Sequence, residues 1–141
     1  SYLGDPGSPR TKLPGSGGAA DIAGLSKRFV VIMAHDKRRL VARVDYVTSP
    51  GFGDGQGWRD RAGVRGGGPS AVITTLCVLG FDPSLGEAIL RTYHPGQSVA
   101  SVRDQTGWDL RVAKDVRETK APTARELAII RRYDPQGFWT R

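Results

Sequence analysis

Pro14-Gly15-Ser16-Gly17-Gly18-Ala19-Ala20-Asp21, followed shortly by Phe29-Val30-Val31-Ile32-Met33-Ala34, is the stretch on which the fold turns. A dense glycine run leads into residues 20–25, a short helix-compatible segment, and then into an unbroken apolar run. Such a run, of strand length and without polar alternation, predicts a strand buried on both faces. A turn, a helix and a buried strand in succession are the elements of an α/β protein.

Downstream, residues 40–47 alternate, with Leu40, Ala42, Val44 and Tyr46 opposite Arg43 and Asp45; although Val41 and Val47 blur the pattern, a half-buried strand is expected. Residues 49–69 hold eight glycines, and a loop of that length in a compact domain is usually functional or disordered. A third strand is expected over 71–79, broken by Phe81-Asp82-Pro83, and a fourth over 88–93. Residues 99–106 read as a helix with Ser98 as N-cap and Gly107 as terminator, and 108–112 as a short strand. The last helix carries the clearest signal. Thr123 and Glu126 form a capping box behind Pro122, Leu127, Ile130 and Tyr133 mark one face, and Asp134-Pro135 ends it.

Upstream, residues 1–14 form a polar leading loop rich in Gly and Pro. A chain that starts with Ser1 inside such a loop is expected of a truncated or processed product. The elements together predict an α/β domain over the whole chain, with a mixed or mostly parallel sheet and flanking helices.

A composition of 38% hydrophobic and 25% charged residues supports a packed core and argues against wholesale disorder. Cys77, the single cysteine, lies inside an apolar run and reads as a small core hydrophobe. A lone thiol suits the reducing cytoplasm, the expected compartment. No apolar stretch reaches membrane-spanning length, and no signal-peptide pattern opens the chain. The net charge of +7 invites an anionic partner. Lys27, Arg28, Lys37, Arg38, Arg39 and Arg43 cluster, as do Arg59, Arg61 and Arg65. A solvated surface accounts for most of them; a polyphosphate ligand or an acidic partner subunit can use a few. A basic nucleic-acid-binding module is the rival from another class. Against it, no zinc spacing, helix-turn-helix pattern or RNA-binding aromatic motif accompanies the charge.

Gly15, Ser16, Gly17, Gly18 and Ala19 are the first candidate site, because glycines let backbone N–H groups converge on an anion at a helix start. The run matches neither the P-loop nor the dinucleotide fingerprint, and by itself reads as a plain turn before it reads as a site. His35 and His94 sit at strand ends, where satisfied structural histidines are common, and neither has companions at metal-ligand spacing, so no metal is expected. Glu87, Glu118 and Glu126 fall in a turn, a loop and a helix cap. The residue inventory alone contains no catalytic engine.

Six segments in order nevertheless resemble the β subunit of class I coenzyme A transferases, in its C-terminal part. Gly15-Ser16-Gly17-Gly18-Ala19-Ala20-Asp21-Ile22 is similar to that family's glycine loop. Arg28-Phe29-Val30-Val31-Ile32-Met33-Ala34-His35 resembles its strand ending in Met-x-His, and Arg38 through Gly51 resembles the glutaconate and 3-oxoadipate branch. Val72-Ile73-Thr74-Thr75-Leu76-Cys77-Val78-Leu79-Gly80-Phe81-Asp82, Tyr93-His94-Pro95-Gly96 with Val102 and Thr106-Gly107-Trp108, and Pro122-Thr123 to Asp134-Pro135 complete the series.

The resemblance implies a CoA-transferase-like partial domain that works with a separate α subunit on an acyl-CoA and a carboxylic acid. The CoA thioester is a substrate, and no permanently bound cofactor is expected. It also implies a two-step exchange through a glutamyl-CoA thioester, with Gly17 and Gly18 as oxyanion-hole donors and Gly15, Ser16, Gly17, Gly18 and Ala19 as CoA or substrate contacts. No Ser-Glu-Asn-Gly-like motif occurs, so no catalytic nucleophile is assigned within these residues, and the isolated chain is expected to be inactive. A CoA-thioester hydrolase of the same fold and a degenerate scaffolding subunit are the alternatives within the resemblance.

Overall fold

The structure, a computed structural model, describes residues 2–3, 11–12, 15–82 and 84–138. In the leading segment, β1 (Tyr2–Leu3) and β2 (Thr11–Lys12) pair antiparallel, so the expected loop contains a short ladder. The rest of that segment lies outside the described residues. Helix α1 spans Gly17–Leu25, strand β3 Phe29–Met33, and the single-turn α2, Trp58–Arg61, sits within the glycine-rich loop. Then come β4 (Pro69–Thr74), β5 (Cys77–Phe81), β6 (Ala88–Tyr93), α3 (Val99–Asp104), β7 (Arg111–Glu118) and α4 (Ala124–Tyr133).

Strands β3 to β7 form one five-stranded sheet in sequence order. The outer pairs β3–β4 and β6–β7 are parallel, and the inner pairs β4–β5 and β5–β6 antiparallel. The sheet is mixed and accompanied by helices, as the element order predicts. Cys77, Leu79, Leu90, Val102 and Leu110 are fully buried and form its core, placing α3 against β5 and β6 through Val102. Cys77 is the small core residue expected of it.

Several elements depart from the sequence reading. The single strand expected over 71–79 is two strands turning at Thr75-Leu76. The Thr74 hydroxyl oxygen accepts from the Leu76 and Cys77 N–H groups at 3.2 and 3.0 Å, a side-chain-stabilised turn that apolar continuity conceals. Residues 40–47 make no strand. Only Val41 bridges, to Gly107, since alternation alone supplies no ladder partner. The strand expected at 108–112 begins at Arg111 and runs to Glu118. Leu110 is fully buried just before it, and the parallel register pairs Ile89 with Arg111 and Tyr93 with Glu118.

β3 is not buried on both faces in this chain. It is an edge strand whose burial alternates, with Val30 50% and Ile32 80% exposed. α3 has the Ser98 cap the sequence predicts, and α4 has its Thr123–Glu126 capping box. The marked face of α4 buries nothing, and Ile130 and Tyr133 are exposed.

Candidate functional site

Helix α1 begins at Gly17, three positions ahead of the expected start, so the glycine run is its first turn. The Ala20 N–H donates to the Ser16 carbonyl at 2.9 Å, closing that turn. The amides of Gly17, Gly18 and Ala19 precede the first intrahelical bond and therefore have no partner within the helix. Ser16, the N-cap, supplies no side-chain hydrogen bond to them. Residues 15–19 are all exposed, and a Cβ built at Gly15, Gly17 or Gly18 would meet nothing within 4 Å. The five candidate residues thus form one bare helix start with open space beside it. Its N–H groups and the positive end of the helix suit an anionic oxygen.

The opposite end of α1 is held by the glycine-rich loop. The Arg59 guanidinium donates to Ala23 O at 2.8 Å, to Gly66 O at 2.7 Å, and to Gly51 O and Pro50 O at 2.8 and 3.3 Å. The Gly66 N–H donates to Gly24 O and the Gly67 N–H to Ser26 O, at 2.8 and 3.1 Å. Glycine is required at both positions, since a Cβ on Gly66 would lie 2.5 Å from Ser26 O and one on Gly67 2.1 Å from Lys27 O. Arg59 is 7% exposed, which corrects its grouping with a solvated basic surface. Sequence reasoning missed it. Trp58-Arg59-Asp60-Arg61 has the composition of a charged surface turn, and only the chain folding back on α1 surrounds Arg59 with carbonyls. A cavity of about 420 Å³ lies beside this loop, lined in part by Phe52, Arg59, Phe81 and Asp82.

Neither histidine joins the glycine run in a catalytic set. His35 Nδ1 lies 3.0 Å from Thr74 Oγ1 and Nε2 3.1 Å from Thr106 Oγ1. Thr106 gives its hydrogen to Val102 O at 2.8 Å, so Nε2–H donates to Thr106. The Thr74 hydroxyl beside Nδ1 accepts from the Leu76 and Cys77 N–H groups and donates to Cys77 O at 3.0 Å. Burial holds the His35 pKa below its usual value of 6.5. A proton is therefore bound more weakly by the folded than by the unfolded chain. His35's contribution is complete above about pH 6.5 and declines as pH falls below it towards the lowered native value. Urea midpoints taken at about pH 7.5 and about pH 5.5 should show this loss in the parent and a smaller one in His35→Asn; equal slopes would refute it.

His94 bonds Thr119 Oγ1 at 3.0 Å and Thr74 O at 2.9 Å, a second structural histidine. Glu87 pairs with Arg111 at 2.8 Å, and Glu126 accepts from the Thr123 N–H at 2.7 Å in the α4 cap. Glu118 ends β7. Among the described residues no group of three His, Cys, Asp or Glu could hold a metal ion, and no helix is long and apolar enough to cross a membrane.

This fold recurs in known proteins. The B-type subunit of the 3-oxoadipate CoA-transferase of Pseudomonas knackmussii is 40% identical over 131 residues, 93% of this chain and 50% of that protein. The B-type subunit of the glutaconate CoA-transferase of Acidaminococcus fermentans is 42% identical over 130 residues, 92% of this chain and 48% of that protein. The crystal structure of the latter enzyme superimposes with a TM-score of 0.82 over 100% of this chain and 54% of the matched chain, at 38% identity. The decarboxylase AibA/AibB matches with a TM-score of 0.68 and 30% identity over 96% of this chain and 50% of its own. The chain spans about half the length of the curated relatives it matches. The coenzyme A transferase family pattern matches residues 2–105, and this chain belongs to that family.

Proposed function

We propose that the chain is part of the B-type subunit of an enzyme that moves coenzyme A between an acyl-CoA and a carboxylic acid of the glutaconate or 3-oxoadipate type. The bare first turn of α1 is the observation that carries this reading. A thioester or anhydride carbonyl attacked by a nucleophile becomes a tetrahedral oxyanion, and preoriented backbone N–H groups stabilise that charge without having to reorganise. Gly17, Gly18 and Ala19 present such groups with no side chain on the first two to obstruct approach.

The proposed sequence is covalent catalysis. A glutamate carboxylate adds to the acyl-CoA carbonyl and expels CoA thiolate, leaving an acyl-glutamyl anhydride. The thiolate then attacks the glutamyl carbonyl, releasing the acyl group as carboxylate and leaving a glutamyl-CoA thioester. The second acid reverses both steps and departs as its CoA ester. We assign the nucleophile to a residue outside these 141. Glu87 and Glu126 are committed to Arg111 and to the α4 cap, and Glu118 belongs to none of the segments that resemble the family. An α-type subunit is the proposed partner, since the relatives are named as B-type subunits of CoA-transferases. The cytoplasm is the proposed compartment.

The test incubates the full-length subunit and its α partner with acyl-CoA, with and without an acceptor acid. A CoA-sized, hydroxylamine-labile adduct should form without acceptor, and CoA should pass to the acid with ping-pong kinetics when it is present. Steady thioester hydrolysis without an acceptor, or carbon dioxide release, would replace transfer with a hydrolase or decarboxylase reading. The 141 residues alone should show no turnover.

A further inference from the structure

Arg59 is a buried cation whose described hydrogen bonds all run to backbone carbonyls. Its four hydrogen bonds, one from Nε, two from Nη1 and one from Nη2, run to Gly66, to Pro50 and Gly51, and to Ala23. A charge removed from water is costly unless hydrogen bonds replace its hydration, so this arrangement is stable only while those carbonyls converge. They come from two places. Pro50, Gly51 and Gly66 belong to the glycine-rich loop, and Ala23 to α1. The last carbonyls of a helix have no internal donors. In α1 the Ile22 carbonyl is taken by the Ser26 N–H, Ala23 by Arg59 and Gly24 by the Gly66 N–H. A positive charge at this end also matches the helix dipole.

α1 is nine residues long, too short to be stable by itself, and Ala23 is its one buried residue. Its packing therefore contributes little orientation, whereas Arg59 and Gly66 fix the last turn. Because the helix is a short rigid rod, fixing that turn also aims the first one, where Gly17 to Ala19 stand. We propose that Arg59 is a positioning residue that aims the first-turn amides of α1, an inference whose consequence for turnover rests on the transferase reading above. Lysine is a poor substitute, because an ammonium concentrates its donors at one point and cannot reach carbonyls spread around a planar fork.

The oxyanion exists in the transition state and not in bound substrate, so mis-aimed amides should lower kcat more than they raise KM. In the assembled full-length enzyme, Arg59→Met should lower kcat at least about tenfold with KM for acyl-CoA within about threefold. Arg59→Lys should fall between Met and the parent. Amide exchange over residues 20–25 should quicken at least about tenfold in Arg59→Met, while β5 and β6 keep their protection. Unchanged exchange in α1, or loosened exchange with unchanged kcat, would overturn the proposal. If Arg59→Met fails to assemble, parent enzyme decides the matter: α1 and the Gly66 and Gly67 amides should open as one unit, and independent opening overturns the inference. A parent enzyme that transfers no CoA would instead sink the transferase reading, leaving the exchange result to judge Arg59's hold on α1.

Discussion

Gly18→Ala in the assembled enzyme is expected to lower the turnover proposed here about a hundredfold, within the range lost when an oxyanion donor is disabled. The same change should leave the fold intact or more stable by up to about 1 kcal/mol, because glycine within a helix costs conformational entropy that alanine does not. The structure gives no opposing term, since a Cβ at Gly18 meets nothing within 4 Å. Helical Cα–Cβ bonds tilt towards the N-terminus, so the added methyl projects to the side from which an anionic oxygen would approach. Stability and activity therefore move in opposite directions. Steady-state kinetics and thermal melting on one preparation check both signs; activity retained with the helix formed would remove the first turn from the chemistry.

Leu90→Ala is expected to cost about 2–5 kcal/mol through lost transfer energy and the cavity left behind. Leu90 is fully buried on β6, which is hydrogen-bonded on both edges, and it lies in the cluster of Cys77, Leu79, Val102 and Leu110. Domains of this kind have about 5–15 kcal/mol in all, so the loss would consume a large share. Ile32→Ala, a deletion of similar size on the edge strand, should cost no more than about 0.5 kcal/mol in this chain, because its side chain is 80% exposed. Urea titrations of the two variants should separate clearly in midpoint; similar shifts would mean that β3 is covered where the structure leaves it open.

Arg59 and Thr74 show where a reading of the sequence stops. Arg59 lies in a short run of charged residues whose composition has the pattern of surface, and its burial depends on Gly24, Ser26, Gly66 and Gly67 meeting from distant parts of the chain. Thr74 lies inside an apolar run that reads as a single strand. The reversal comes from its hydroxyl accepting two backbone N–H groups, a side-chain effect without a compositional mark. The order of segments made the family legible, and the glycine run marked the candidate helix start. The bareness of that start, and what holds its far end, were not legible.

Signals that act within a turn or two belonged to the sequence alone: the Ser98 and Thr123 caps, the span of β6, the apolar surroundings of Cys77 and the concentration of glycines at the start of α1. Tertiary structure decided the pairings between segments far apart. It left residues 40–47 without a strand partner, set β7 by its parallel register on β6, made β3 an edge and buried Arg59 among carbonyls. The division follows from range: caps and periodicity are satisfied by near neighbours, whereas a sheet edge or a buried charge is defined by whichever distant backbone supplies, or fails to supply, the opposite half of each hydrogen bond.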